Sequence, residues 1–238
     1  MPSDVPTYQS ASVAAGMAVQ AAERQARIAA GERPIGWKLG FGTPAALAKF
    51  ALTGPLVGYM MEKSVIASGG EADLTGWVKP VAEPEIAVRI GADVADGAAF
   101  TSAAIEAFAP AIELADLFFP PEDAEKILAH NIYHRSVLTG AFRPAGAGFD
   151  WSRLRGTVRR NGEAHASVED VEANTGRFVE ILRICADTLA AGGEQLRKGD
   201  VVILGSVVPP IFLAPDDTEV AFEIADAGRV SVRLRAGA

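Results

Sequence analysis

The tripeptide Glu83-Pro84-Glu85 carries two carboxylates at a spacing that suits joint chemistry. In an extended chain, residues two apart point to the same face, so the two glutamate Cα atoms lie roughly 6 to 7 Å apart. Two like charges on one covered face repel unless a positive group neutralises them. Pro84 lacks a backbone donor and therefore favours a sheet edge or a bulge, where a sheet opens toward a site. The alternative is a solvated edge strand with two surface acids.

A third acid, Glu113, lies between Ile112 and Leu114 in an otherwise apolar segment. If these two neighbours face the core, Glu113 points to the other side and needs a partner wherever that side is covered. The alternatives are an exposed face or a salt bridge to Lys79 or an arginine. Three carboxylates without a cysteine or histidine motif are the ligand set expected for a hard divalent cation such as Mg²⁺ or Mn²⁺.

The composition bounds the classes of protein to which this chain can belong. Its 238 residues include 22 Lys plus Arg and 30 Asp plus Glu, so the net charge of −8 argues against a nucleic-acid-binding surface. The hydrophobic fraction of 49% and the charged fraction of 22% are typical of a folded domain and exclude global disorder. No linker divides the chain, so we expect a single catalytic domain over 1–238, with an N-terminal helical segment at 1–34 and a β-rich part at 35–238.

The cysteine content and the N-terminus indicate a compartment. Cys185 is the single cysteine, so no internal disulfide or cysteine-type metal site can form. The first residues lack the basic and apolar regions of a signal peptide, and charged residues interrupt the alanine-rich stretch that follows. We therefore expect a cytoplasmic protein without a membrane partner.

Hydrophobic periodicity and turn residues predict the elements that position these side chains. On the strand predicted at 34–42, alternation leaves Lys38 as the one side chain on a face otherwise made of glycine. Thr43-Pro44 has the form of a helix start, and Asn161-Gly162 that of a hairpin turn. Helices are predicted at 8–30, 45–50, 101–108, 122–132 and 176–191. Strands are predicted at 57–65, 78–90, 109–116 and 198–205, with hairpins at 154–167 and 219–234.

Four segments taken in order carry a resemblance to a known family. They are Gly-Trp-Lys-Leu-Gly (36–40), Glu-Pro-Glu (83–85), Pro-Ala-Ile-Glu-Leu-Ala-Asp (110–116) and Lys-Gly-Asp-Val-Val-Ile-Leu-Gly-Ser (198–206). Together they resemble the fumarylacetoacetate hydrolase superfamily, and within it the branch of 2-keto-4-pentenoate hydratases and 4-oxalocrotonate decarboxylases. The resemblance implies an α+β fold, a mixed β-roll with N-terminal and peripheral helices. It also implies that Glu83, Glu85 and Glu113 bind the divalent metal and that Lys38 belongs to the active site.

The activity implied by the resemblance is that of a Mg²⁺- or Mn²⁺-dependent hydratase of aromatic catabolism. Such an enzyme acts on a small 2-oxo or 2-hydroxydienoic acid through a metal-stabilised enolate. Decarboxylation or C–C bond hydrolysis are the enzymatic alternatives, and a non-catalytic assembly subunit is the alternative outside catalysis. Lys38 would hold the substrate carboxylate, Ser206 either contacts substrate or is a plain turn serine, and the family resemblance implies a homo-oligomer.

Two departures from the family pattern concern proton transfer. Related hydratases carry an acid in a P-D-[YF]-G stretch, whereas the segment aligned with it here, 51–54, places Leu52 at that position. A leucine cannot transfer a proton. Tyr133-His134-Arg135-Ser136 stands where the family has a D-N-A-S-like segment. We therefore hypothesise that His134 or another polar group supplies proton transfer, because an unperturbed histidine titrates near working pH; the alternative is a surface histidine at a helix end.

Overall fold

Residues 7–235 are described by a computed structural model, in which they form four helices and thirteen strands. The helices are α1 (Ala11–Ala29), α2 (Pro44–Phe50), α3 (Ala124–Ala129) and α4 (Phe178–Ala191). The strands are β1 (Pro34–Gly40), β2 (Leu56–Met61), β3 (Glu71–Asp73), β4 (Pro80–Ile90), β5 (Ile105–Asp116), β6 (His134–Thr139), β7 (Arg143–Pro144), β8 (Gly156–Arg160), β9 (Glu163–Val168), β10 (Val201–Ser206), β11 (Ile211–Phe212), β12 (Glu219–Ile224) and β13 (Gly228–Arg235). The prediction of a mixed α+β fold is confirmed.

The larger sheet holds the strands on which the candidate residues lie. Its order is β2-β1-β10-β4-β5-β6, with β11 paired to β4 and β7 paired to β5. The long strands β4 and β5 are antiparallel, and their register sets Glu83 directly opposite Glu113. β1, which carries Lys38, is parallel to β10 and antiparallel to β2. The sheet therefore gathers Lys38 and the glutamates near its centre.

The smaller sheet closes the core from the other side. Its order is β3-β13-β12-β8-β9, and its inward side chains, such as Phe222 and Val230, are fully buried in one cluster with Ile112 of β5 and Leu138 of β6. The predicted hairpin turn is confirmed, because Asn161 and Gly162 both have positive φ between β8 and β9.

The helices cover the edges of the sheets. α4 buries an apolar stripe that includes Phe178, Leu182 and Cys185 in the main core. α1 packs on α3, where the buried amide of Gln20 donates to the carbonyl of Leu128 at 3.0 Å. Among the described residues, no helix combines the length and hydropathy needed to cross a bilayer.

The helix predicted at 101–108 is wrong. Only Ser102–Ala104 form a single 3₁₀ turn, and β5 begins at Ile105. Ile105 pairs with Ile90 and is buried, as is Phe108, which pairs with Val88. Pairing and burial on both faces override the helical preference of the short alanine-rich segment.

Candidate active site

Three glutamates converge on one face of the larger sheet. Glu83 and Glu85 share a face of β4 because they are two residues apart, and Glu113 faces the same way because it is the register partner of Glu83. One carboxylate oxygen from each lies within 4.8 Å of the other two. The predicted cluster is therefore assembled by strand register alone.

Each carboxylate has a different set of partners. Glu85 Oε2 accepts a hydrogen bond from the Gly205 backbone N–H at 2.7 Å. Glu113 Oε1 accepts from Lys38 Nζ and lies 2.7 Å from His134 Nδ1. Glu113 Oε2 is buried and has no hydrogen-bond partner among the described residues. An orphaned carboxylate oxygen beside two further carboxylates fits a hard divalent cation, which would be the partner that this oxygen lacks.

Burial and the proximity of the three carboxylates shift their pKa values. Withdrawal from water, together with the charge of Glu113, raises the pKa of Glu83 to about 7. The same two causes, in the same order, raise the pKa of Glu85 well above its usual value. Burial acts in the same direction on Glu113, but the Lys38 charge and the His134 contact outweigh it and hold its pKa below the usual range. The site thus has more negative charge than Lys38 can balance, which again fits a divalent cation.

Lys38 is buried at the base of the cluster. Its Nζ donates to Glu113 Oε1 and, at 3.0 Å, to the Ile132 carbonyl. Gly58 on β2 leaves room for the lysine stem, since a Cβ there would lie 2.8 Å from Lys38 Cγ. Two of the three ammonium hydrogens are therefore committed to the protein, and one is left for a ligand.

An unusual turn presents the Ile132 carbonyl to Lys38. Asn131, Ile132 and Tyr133 have φ values of 49°, 51° and 61°, a left-handed run without glycine. The Asn131 side chain fixes this turn, because its Oδ1 accepts from the Tyr59 N–H and its Nδ2 donates to the Tyr59 carbonyl, both at 2.9 Å. The sequence offered no glycine signal for this turn, so its role was not predicted.

A cavity of about 290 Å³ opens above the glutamates. Of the predicted site residues, Lys38, Glu83, Glu85 and Ser206 lie in its wall, whereas the buried Glu113 does not line it. The Ser206 hydroxyl donates to the Pro84 carbonyl at 3.3 Å. The remaining wall is largely apolar and comprises Leu39, Phe41, Ala46, Pro55, Val81, Ala115, Leu117, Pro121, Ile132, Leu204, Pro210 and Phe212, with polar exceptions at Thr43, Tyr133, Asn174 and Thr175.

Asn174 and Thr175 were missed at the level of sequence. They belong to the irregular segment between β9 and α4, and Asn174 Nδ2 donates to the Ser206 carbonyl at 2.7 Å. No motif marks this segment, because its residues reach the cavity through loop geometry and not through the period of a helix or strand.

His134 lies behind the glutamates and does not line this cavity. Its side chain is 4% exposed, its Nδ1 contacts Glu113, and its Nε2 lies 3.0 Å from Ser64 Oγ. It borders a separate polar cavity of about 250 Å³ on the other side of Glu113. Any proton that His134 exchanges with a ligand in the first cavity must therefore pass through another group.

The structure places an apolar residue at the position where the family resemblance would put an acid. Leu52, aligned there above, is buried in the cluster beneath α1. The segment Pro55-Leu56-Val57-Gly58 also has the spacing of the P-D-[YF]-G pattern, and Leu56 is buried in the same cluster. In either alignment the residue is apolar.

Several known proteins resemble this chain. A 4-oxalocrotonate decarboxylase of Pseudomonas sp is 28% identical over 213 residues, which cover 86% of this chain and 80% of the relative. The TodF product hydratase of Pseudomonas putida strain F1 is 29% identical over 224 residues, 92% of this chain and 82% of the relative. Both matches extend well beyond the glutamate cluster.

Solved structures show the same fold. A 4-oxalocrotonate decarboxylase from Pseudomonas putida G7 complexed with magnesium and adipate superimposes with a TM-score of 0.83 at 24% identity, over 93% of this chain and 86% of that one. Fumarylpyruvate hydrolase from Pseudomonas aeruginosa, in complex with Mn²⁺ and pyruvate, gives 0.60 at 15% identity, over 86% and 90%. The predicted β-roll is thereby confirmed.

The family model named fumarylacetoacetate (FAA) hydrolase C-terminal matches residues 38–235, a range that begins at the buried lysine and includes all three glutamates. Since this match spans most of the chain, the protein belongs to the fumarylacetoacetate hydrolase family.

Proposed function

We propose that this protein is a divalent-metal-dependent lyase that acts on a small 2-oxo acid through an enolate. The observation that carries the proposal is that Glu83, Glu85 and Glu113 bring one carboxylate oxygen each within 4.8 Å of one another, with Glu83 and Glu85 lining a cavity. Within the described residues, the buried Oε2 of Glu113 has no hydrogen-bond partner. Three oxygen ligands leave coordination positions for a bidentate substrate, as Mg²⁺ and Mn²⁺ sites commonly do. The relatives are decarboxylases and a hydratase, and two structural neighbours carry magnesium or manganese.

The side chains of the cavity have distinct proposed roles. Bound Mg²⁺ or Mn²⁺ would act as a Lewis acid toward the ketone and carboxylate oxygens of a 2-oxo acid. Lys38 offers its remaining N–H to a substrate oxygen and stabilises negative charge that develops there. Ser206, whose hydroxyl contacts the Pro84 carbonyl at 3.3 Å, can turn its hydrogen toward the cavity and donate to a substrate oxygen.

The cavity favours decarboxylation over hydration. Hydration needs a base for water and an acid for carbon, yet Lys38, Tyr133 and two proposed metal ligands are the titratable groups of the described cavity wall. Decarboxylation breaks a C–C bond, releases neutral CO₂ and leaves the electron pair on the 2-oxo acid as an enolate, so no carbon-bound proton has to be removed. A largely apolar wall also favours the loss of a charged carboxylate.

Hydration is the second candidate, supported by the TodF product hydratase, whose match covers 92% of this chain.

An activity assay distinguishes the two candidates. Purified protein with Mg²⁺ is incubated with 2-oxohex-3-enedioate, and separately with 2-hydroxypenta-2,4-dienoate. We expect metal-dependent CO₂ release from the first compound. Turnover of the dienoate alone, seen as loss of its ultraviolet absorbance, identifies a hydratase instead.

Glu85→Gln tests the metal site within the same assay. We expect activity to fall by on the order of 100-fold or more, because a neutral amide is a poor ligand for Mg²⁺. Glu163→Gln, at an exposed position on β9, is the matched control and retains activity. If wild-type protein turns over neither compound and binds no Mg²⁺ by calorimetry, the non-catalytic assembly subunit becomes the better explanation.

A further inference from the structure

A chain of three polar side chains supports Glu113 on the side away from the substrate cavity. Glu113 Oε1 lies 2.7 Å from His134 Nδ1, and His134 Nε2 lies 3.0 Å from Ser64 Oγ. Ser64 Oγ in turn donates to the Met61 carbonyl at 2.8 Å. All three side chains are buried or nearly so, and they come from β5, β6 and the 3₁₀ turn after β2.

The direction of these hydrogen bonds follows from the groups involved. The Glu113 carboxylate and the Met61 carbonyl can only accept, so the neutral imidazole donates its single N–H, at Nδ1, to Glu113 Oε1. The hydroxyl hydrogen of Ser64 lies within reach of both the Met61 carbonyl at 2.8 Å and the unprotonated Nε2 of His134 at 3.0 Å. The imidazole is thus held at both nitrogens and cannot rotate without breaking two buried contacts.

The order carboxylate, imidazole, hydroxyl is also that of the serine-hydrolase triad. Here the hydroxyl cannot serve as a nucleophile. Ser64 lines neither of the two cavities described above, and its hydrogen bonds to a backbone carbonyl. The chain of contacts ends in the protein and not at a substrate.

The two carboxylate oxygens of Glu113 lie in different environments. Oε1 receives Lys38 Nζ and His134 Nδ1, which together occupy both of its in-plane lone pairs. Oε2 has no hydrogen-bond partner within residues 7–235 and is the oxygen left for a cation. The lysine has a flexible stem, whereas the imidazole is planar and fixed by Ser64, so the histidine sets the plane of the carboxylate.

We propose that His134, held by Ser64, is a positioning residue that makes Glu113 a one-oxygen ligand through Oε2. The proposal rests on the metal site proposed above. It gives His134 a role that acts through Glu113 and assigns a function to Ser64, which the sequence motifs did not single out.

Two amide substitutions separate this role from simple packing. In His134→Asn the side-chain amide nitrogen takes approximately the place of Nδ1 and can still donate to Glu113. In His134→Gln the amide reaches the place of Nε2 and loses the Glu113 contact. We expect the Kd for Mn²⁺, measured by calorimetry, to rise about 10- to 100-fold in His134→Gln and to remain within about threefold of wild type in His134→Asn.

Further variants complete the comparison. Ser64→Ala weakens Mn²⁺ binding by several-fold, because the imidazole keeps Glu113 but loses its own anchor. His165→Gln, at an exposed position on β9, is the matched control and binds Mn²⁺ as wild type does. The melting temperature of each metal-free variant shows that the fold is retained.

Several outcomes would overturn the proposal. Wild-type Mn²⁺ affinity in His134→Gln, with binding lost in Glu113→Gln, leaves His134 only a packing role. Equal losses in His134→Asn and His134→Gln, accompanied by equal drops in melting temperature, also reduce it to packing. Covalent labelling of Ser64 by a fluorophosphonate shows a nucleophile instead. Wild-type protein that binds no Mn²⁺ overturns the proposed function itself, and this proposal with it.

Discussion

At the scale of single residues, the site is defined by charges that the protein alone leaves unbalanced. Like charges directly opposite each other across two strands are destabilising, yet Glu83 and Glu113 are such a pair. Lys38 and His134 both contact Glu113, so the excess charge falls on Glu83 and Glu85, whose pKa values are raised. In the metal-free protein these two carboxyls therefore retain protons at pH values where an exposed glutamate is ionised.

This predicts that Mg²⁺ binding releases protons and weakens as the pH falls. A carboxyl must lose its proton to bind the ion, and the pKa of Glu83 is about 7 while that of Glu85 is also raised, so affinity rises with pH through about 7. We expect a decrease of about tenfold per pH unit below 7 for each proton released. Calorimetry in buffers of different ionisation enthalpy counts the protons. An affinity that stays constant between pH 5.5 and 8 would contradict the prediction.

At the scale of elements, the position of Lys38 depends on how closely β1 approaches β10. Gly36, two residues before the lysine, has φ of 140°, and a Cβ there would lie 1.9 Å from the Val201 carbonyl oxygen. Gly36 is also the register partner of Val201 in the parallel pairing. Only glycine permits this approach, which fixes the position of Lys38 relative to the glutamates.

Gly36→Ala is therefore expected to destabilise the fold and misplace the lysine. The clash is with backbone, so β1 must separate from β10, at a cost of at least about 2 kcal/mol in the free energy of unfolding. Urea unfolding and turnover would both report the change. Gly69→Ala is the matched control, because Gly69 also has positive φ but a Cβ there would meet nothing within 4 Å. A Gly36→Ala protein as stable as this control would contradict the argument.

The elements also show where reasoning from sequence succeeds. The period of a strand suffices to place Glu83 and Glu85 on one face, and the glycines around Lys38 indicate a strand face open to a ligand. Ser64 could not be found in this way, because its contact with His134 joins a 3₁₀ turn to a strand far away in sequence. The left-handed turn at 131–133 was equally hidden, since side-chain bonds from Asn131 replace the usual glycine.

At the scale of the whole molecule, the proposed metal ligands and the wall of the proposed substrate cavity come from different parts of the fold. Lys38 and the three glutamates lie on strands inside one sheet, whereas much of the cavity wall comes from turns and loops such as 41–43 and 174–175. Strands hold ligands in fixed positions, and loops tolerate change. The metal site is therefore expected to be rigid, while the loop residues determine which substrate shapes fit the cavity.

Because the three glutamates meet only in the folded chain, a bound ion stabilises the entire molecule. Saturation at about 100 times the Kd adds about 2.7 kcal/mol to the free energy of unfolding, which for a chain of this size raises the melting temperature by roughly 5 to 10 °C. Thermal unfolding with and without Mg²⁺ measures the shift. We expect no shift in Glu85→Gln, and an equal shift in that variant would place the ion elsewhere.

The turn that carries the Ile132 carbonyl is strained, and it holds the Lys38 ammonium group in a fixed position. A β-branched residue in the left-handed region costs on the order of 1 to 3 kcal/mol, and Ile132 has φ of 51°. Glycine at this position would relieve the strain, yet it would also free the carbonyl that holds Lys38. Ile132 thus lowers the free energy of unfolding but keeps the Lys38 ammonium group in place. At this turn, the residue that gives the greatest stability is therefore not the one expected to hold Lys38 best.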